Sequence, residues 1–202
     1  PMGHRTLAGD GLAILDGSRS ACQWGSAPDA LEPGIFGPSR LPQQQRRDYE
    51  LNANDSAWLA NARAPLTGFP RIVSDQDTER SPRTREALLT AEASKFSTDS
   101  MKKMLFADHS QFADLAAADL AKLCASFPGG QAPSSSGPVP VGPACTALAN
   151  WDHTYTVDSR GALLFQRFAI RLGNLPRFTV PFDPKAPLTT PNTLNVGDAG
   201  LQ

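Results

Sequence analysis

Proline does more than any other residue to limit what this chain can fold into. Its 202 residues include 18 prolines and 16 glycines, together about 17% against the roughly 12% of an ordinary globular chain. Each proline fixes φ and removes a backbone donor, so long helices and wide sheets are confined to the stretches between prolines. Two regions are saturated. Residues 128–143 read PGGQAPSSSGPVPVGP, the composition of a flexible connector rather than a packed element. The tail has prolines at 176, 181, 184, 187 and 191, which requires an extended path from Pro176 onward. Its end, Asn192 to Gln202, has no apolar pattern and resembles an element cut off midway.

Helices are expected where the prolines thin out. Ser81 is a good N-cap and Pro82 suits a first helical position, with Leu88 and Leu89 on an apolar face. A second helix is expected from Thr98 or Asp99, carrying Met101, Met104 and Leu105. The clearest runs from Phe112 to Phe127. There Phe112, Ala116, Leu120, Leu123, Cys124 and Phe127 form one stripe of 3.6-residue period, with Asp114 and Asp119 facing away. A short helix follows at Ala144 to Trp151. Another starts near Ser159, with Leu164, Phe165, Phe168 and Leu172 on one face. Upstream, residues 1–47 read as one strand at Leu12 to Leu15 and then a meandering connection. Residues 48–73 read as strand ends and tight turns. The fold class is therefore α+β, with a few strands in the N-terminal third and then mainly helices. A single partial domain is expected: a strand and loop part over 1–80, a helical part over 81–175 and an extended tail over 176–202. A chain that starts at Pro1 rather than Met is expected to be a mature product or a piece of a longer one.

Charge excludes several functions. Nineteen Lys and Arg against 20 Asp and Glu leave a net charge of −1, without the positive excess that nucleic acid or an anionic membrane surface calls for. No run of eighteen apolar residues spans a membrane as a helix. Residues 1–10 have no apolar core behind a basic start, so they are not a signal peptide.

The usual catalytic constellations are missing. His4, His109 and His153 are the three histidines. Asp108, His109 and Ser110 are sequence neighbours, and triad members converge from different elements, so they do not form one. There is no Gly-x-Ser-x-Gly elbow and no glycine-rich phosphate loop. His109 is expected at a helix end near a carbonyl, and His153 on the surface. No Cys-x-x-Cys or His-x-x-x-His pattern points to zinc. Cys124 and Cys145 are 21 positions apart. Their spacing suits either a disulfide, contributing roughly 3 kcal/mol, or two buried thiols. Cys22 is left over.

One stretch remains: Leu51-Asn52-Ala53-Asn54-Asp55-Ser56-Ala57-Trp58. A turn stabilised by Asn and Asp side chains accounts for it structurally. Chemically, an amide N–H fixed at a turn stabilises an oxyanion as a carbonyl is attacked, and losing such a donor costs about 10²–10³ in rate. The same residues spell the Asn54-Asp55-Ser56 sequon, a weak pattern.

The segment from Arg47 to Leu59 (RDYELNANDSAWL), then Ala64 to Phe69 (APLTGF), resembles the penicillin acylase family of N-terminal-nucleophile hydrolases. The acyl-homoserine-lactone and aculeacin acylase branch is the most similar. Ser81-Pro82-Arg83-Thr84-Arg85, Ala144 to Asp152 (ACTALANWD), Asp158-Ser159-Arg160-Gly161-Ala162 and Pro181-Phe182-Asp183-Pro184 follow in order. The resemblance covers about Leu12 to Leu194. It implies part of an αββα sandwich from a precursor that cuts itself into an α and a β chain. The β chain's first serine is the nucleophile and its own α-amine the base. The oxyanion is held by a backbone N–H and an Asn side chain.

In that reading Asn54 is the oxyanion Asn, with Asn52 the alternative register. Arg83 orients the Asn or polarises the site, or else serves in a structural salt bridge; Asp55 and Trp58 are scaffold. The resemblance also implies a Cys124–Cys145 disulfide, a Cys22 partner just upstream of Pro1, and export to the periplasm or beyond. No cofactor or metal is implied. The implied partners are a small N-acyl amide substrate, with acyl-homoserine lactones foremost and penicillin or lipopeptide side chains as alternatives, and the α chain and remaining β chain of the same precursor. The chain itself has no N-terminal nucleophile. It is therefore expected to be an interior, inactive piece of the β chain, or alternatively a non-catalytic binding remnant.

Overall fold

The computed structural model describes residues 5–7, 13–93, 95–172 and 178–198. The first elements are two short antiparallel strands, β1 (Arg5–Leu7) and β2 (Ala13–Leu15), paired from Arg5 opposite Leu15 to Leu7 opposite Ala13. The strand expected at Leu12 to Leu15 is thus the second arm of a hairpin; Leu12 itself lies outside the described residues.

From residue 16 to residue 81 there is no strand, which corrects the expected strand ends of 48–73. Single 3₁₀ turns at Ser20–Cys22, Pro38–Arg40 and Ala57–Leu59 punctuate irregular chain. The cause is local. Asn, Asp and Ser side chains satisfy the backbone here in place of a neighbouring strand: Asn52 Oδ1 accepts the Asn54 N–H at 2.7 Å, and Ser56 Oγ accepts the Trp58 N–H at 3.1 Å.

Five helices follow among the described residues. Helix α1 is Pro82–Ala93, with the Ser81 hydroxyl accepting the Thr84 N–H at 3.3 Å. Helix α2, Thr98–Leu105, starts in a capping box formed by Ser97 and Ser100. Helix α3, Gln111–Ser126, is capped by Ser110. It buries Ala113 and Ala117 along with Ala116, Leu120 and Cys124, a wider face than the predicted stripe. Asp119 does not face away: its Oδ2 accepts the Leu194 N–H at 3.0 Å.

The stretch 128–143 is more ordered than its composition suggests. Gly129, Gly130 and Gly137 take positive φ, which glycine adopts without a Cβ clash. They fold it into a small ladder of β3 (Gln131–Ala132) and β4 (Val139–Pro140). Helices α4 (Gly142–Ala149) and α5 (Ala162–Leu172) complete the helical part. The tail returns on itself rather than running extended. Strand β5 (Phe178–Val180) pairs antiparallel with β6 (Asn192–Leu194).

Two cores result. The larger gathers Ala113, Ala116, Ala117 and Leu120 of α3 with Leu148, Trp151, Ala162, Phe165 and Leu194. Phe165 is wholly buried, between the rings of Phe112 and Trp151, a burial that contributes about 1.5–3 kcal/mol. Leu194 is 1% exposed, so the apparently patternless tail supplies a core residue. The smaller core holds Trp58, Leu59, Phe69 and Leu88, with Phe182 and Leu188 against it. Cys124 and Cys145 form a disulfide with Cα atoms 5.5 Å apart, tying the end of α3 to α4. Cys22 is a buried free thiol.

Candidate functional site

The Asn-rich loop is anchored from beneath. Trp58, 1% exposed, fills the smaller core and meets Phe182 edge to face. Asp55 then ties the loop to the start of α1. Its Oδ1 accepts from Ser56 N–H and Arg80 Nη1, both at 2.8 Å; its Oδ2 accepts from Ser81 N–H at 3.0 Å and Thr84 Oγ1 at 2.7 Å. Burial alone would raise the Asp55 pKa. The Ser81 N–H, the Thr84 hydroxyl, the Ser56 N–H and the Arg80 charge outweigh it and hold the carboxyl well below its usual range. A carboxylate at this end of α1 also complements the helix dipole.

This anchoring sets Arg83, in the first turn of α1, against the loop. Arg83 Nη2 donates to the Ala53 carbonyl and, at 3.2 Å, to Asn54 Oδ1. A guanidinium is donor only, so the Asn54 oxygen must face it and the amide nitrogen faces the other way. Asn54 is exposed, and among the described residues its Nδ2 donates to nothing. Its backbone sits at φ 56°, in the left-handed region that Asn tolerates better than most residues. The two residues singled out in the sequence are therefore in contact. Asn52 supports the turn through its own oxygen.

Other polar residues brace the loop and were not singled out from the sequence. Asn61 is fully buried; its Nδ2 donates to the Tyr49 carbonyl at 2.8 Å and its Oδ1 accepts the Arg63 N–H at 2.9 Å. Tyr49 donates its hydroxyl to Glu92 at 2.6 Å; burial, with Glu92 beside it, pushes its pKa up to about 12. Arg85, two residues beyond Arg83, donates from Nε to the Leu188 carbonyl at 2.8 Å and from Nη1 to the Pro191 carbonyl at 2.7 Å. That bond pair joins α1 to the returning tail. Only the burial of Asn61 distinguishes it from a surface Asn, and burial is not legible in residue types.

A second polar constellation surrounds the histidines: His109 stands at a helix end, directly before the Ser110 cap of α3, and His153 is partly exposed, as expected, but the contacts of the His109 ring differ. His109 is not bonded to a carbonyl through its ring. Its Nδ1 is 2.8 Å from Glu86 Oε1 of α1, and its Nε2 is 3.2 Å from Asp114 Oδ1 of α3. His153 Nδ1 is 2.7 Å from the same Asp114 oxygen. Asp114, on the face of α3 away from the apolar stripe as expected, is the hub.

Sequence comparison places these features in a family. The profile described as Penicillin amidase matches residues 2–195. The chain belongs to the penicillin amidase family. It is 41% identical over 194 residues to an aculeacin-A acylase of Actinoplanes utahensis, covering 91% of this chain and 24% of that protein. It is 37% identical over 193 residues to the acyl-homoserine lactone acylase PvdQ of Pseudomonas fluorescens strain Pf-5, covering 94% and 24%. The PvdQ acylase of Pseudomonas syringae pv. tomato is 35% identical over 194 residues, covering 93% and 24%. The chain thus spans about a quarter of the length of the curated relatives it matches.

Proposed function

We propose that this chain is an interior part of the β chain of a self-processed acylase, and that it contributes half of an oxyanion hole to an amide-hydrolysing site. The contact between Arg83 and Asn54 carries this reading. It turns a non-ionising N–H donor outward on a braced turn, the property an oxyanion donor requires.

In the whole enzyme the nucleophile is an N-terminal serine on another stretch of the precursor, set in the layered αββα fold of N-terminal-nucleophile hydrolases. Its hydroxyl attacks the substrate amide carbonyl while its own α-amine takes the proton. The tetrahedral oxyanion accepts a hydrogen bond from Asn54 Nδ2 and one from a backbone N–H elsewhere in the β chain. Collapse expels the amine, which leaves with the proton, and water then hydrolyses the acyl ester. Arg83 is a positioning residue, because it acts through Asn54. The substrate is an N-acyl compound. An N-acyl-homoserine lactone is the first choice, which would make the enzyme quorum-quenching, with processing and action in the periplasm. The 41% identity to an aculeacin-A acylase supports a second reading, the acyl amide of a lipopeptide.

The test uses the intact, processed protein that contains this chain. Release of free homoserine lactone from long-chain acyl-homoserine lactones is compared with deacylation of a lipopeptide and of penicillin. Asn54→Ala should lower kcat by about 10²–10³ with the circular dichroism spectrum unchanged. Full turnover in that variant sinks the assignment.

A further inference from the structure

We propose that His109, Asp114 and His153 form a zinc-binding site, with Glu86 as the outer partner of His109. The site is separate from the Asn54 loop and does not depend on its chemistry.

The donors converge. A ring nitrogen of each histidine and a carboxylate oxygen of Asp114 all lie within 4.8 Å of one another. Zinc bonds to His nitrogen and carboxylate oxygen are about 2.0–2.2 Å, so ligand atoms around a tetrahedral ion are about 3.3 Å apart. The separations of 3.2 Å from His109 Nε2 and 2.7 Å from His153 Nδ1 to Asp114 Oδ1 need only small opening to reach that value. His109, Asp114 and His153 side chains keep 32%, 39% and 29% of their surface exposed, so one side is open for entry and for a water as fourth ligand.

The hydrogen bonding also asks for positive charge, which a second ring proton on His109 or a metal ion supplies. A neutral imidazole has one N–H. If His109 donates from Nδ1 to Glu86, its Nε2 turns a lone pair toward the Asp114 oxygen. A carboxylate on the far nitrogen of a metal-bound imidazole is the usual outer arrangement, fixing tautomer and ring orientation. A cation between His109, His153 and Asp114 makes every one of these contacts favourable.

The backbone holds the ligands ready. His109 forms a β-bridge with Thr154. The Ser110 N–H donates to the His153 carbonyl at 2.9 Å and the Tyr155 N–H to the Asp108 carbonyl at 2.8 Å. The His153 ring rests on Trp151 at a centroid distance of 5.5 Å. Asp114 sits in the first turn of α3. An ion here would fasten α1, α3 and the 151–155 turn at one point.

The test is calorimetric titration of zinc chloride into the EDTA-stripped, processed protein. One equivalent should bind, and cobalt(II) in its place should give the visible bands of a four-coordinate ion. His153→Asn suits the native backbone, since φ there is 61° and Asn accepts it. It should weaken zinc affinity at least a hundredfold, as should Asp114→Asn. Glu86→Gln, which keeps all three ligands, should weaken it about tenfold; it remains decisive if the ligand variants fail to fold. Less than half an equivalent bound, or an affinity unchanged in Glu86→Gln and in the folded ligand variants, overturns the proposal. The first result leaves an imidazolium at His109 with one N–H to Glu86 and one to Asp114, and the second puts zinc elsewhere.

Discussion

Arg83 makes its two loop contacts from one nitrogen, to the Ala53 carbonyl and to Asn54 Oδ1. The guanidinium plane fixes the directions of the two N–H bonds on that nitrogen, whereas lysine's compact ammonium rotates freely and is more strongly hydrated. Arg83→Lys in the processed enzyme is therefore expected to lower kcat at least tenfold with little change in KM. Unchanged kcat would mean that only the charge matters. Beneath it, Asp55 makes folding pH-dependent. Its folded pKa is depressed, so the stability it contributes is full above the unfolded carboxylate range, about pH 4, and is lost as pH falls below it. Asp55→Asn should cost at least about 2 kcal/mol at neutral pH, by weakening bonds to a charged acceptor and leaving Arg80 unpaired. Its melting temperature should also fall less than the wild type's between pH 5 and pH 3, as scanning calorimetry would show. The motif order singles out Asn54 and Arg83 in the sequence. Their contact was not legible there, because it depends on Asp55 clamping a loop to a helix start 26 residues later.

Among the elements, the helices and the strand at Leu12 to Leu15 were legible, and the other strands were not. Ser81-Pro82 is a local start signal with its own capping chemistry, and the apolar period of α3 is spread over many residues and so survives one misleading position. A strand of two or three residues has no period to detect, and β3, β4, β5 and β6 each hold no more than three. The bond from Asp119 to Leu194 spans 75 positions and leaves no local mark. Gly161 shows how closely the helical elements meet. It sits at φ 105° just before α5, and a Cβ there would lie 2.9 Å from both the Ala147 carbonyl oxygen and Trp151 Cβ. Gly161→Ala is therefore expected to destabilise the protein by about 1–3 kcal/mol, read from the denaturant midpoint. A change below 0.5 kcal/mol would mean that α4 yields to α5 freely.

Across the whole molecule, the larger core and the smaller core meet through α1 against α3, and the disulfide braces the larger one. Cys145→Ser should lower stability by about 3 kcal/mol under oxidising conditions and by nothing extra under reducing ones. Equal loss in both would point to packing rather than to loop closure. The N-terminal third is less finished. Trp24, Ile35 and Ile72 are more than half exposed and line an apolar cleft of about 480 Å³. The Arg85 clasp has a consequence in time. Its acceptors come from carbonyls 103 and 106 residues downstream. At about 5–20 residues per second, a ribosome needs roughly 5–20 s to deliver them. For that interval the helix that carries Arg83 lacks its second anchor. A nascent chain halted before Leu188 could already hold its Asn54 loop through Asp55 and Arg83, but its first helix would still lack the clasp to the tail.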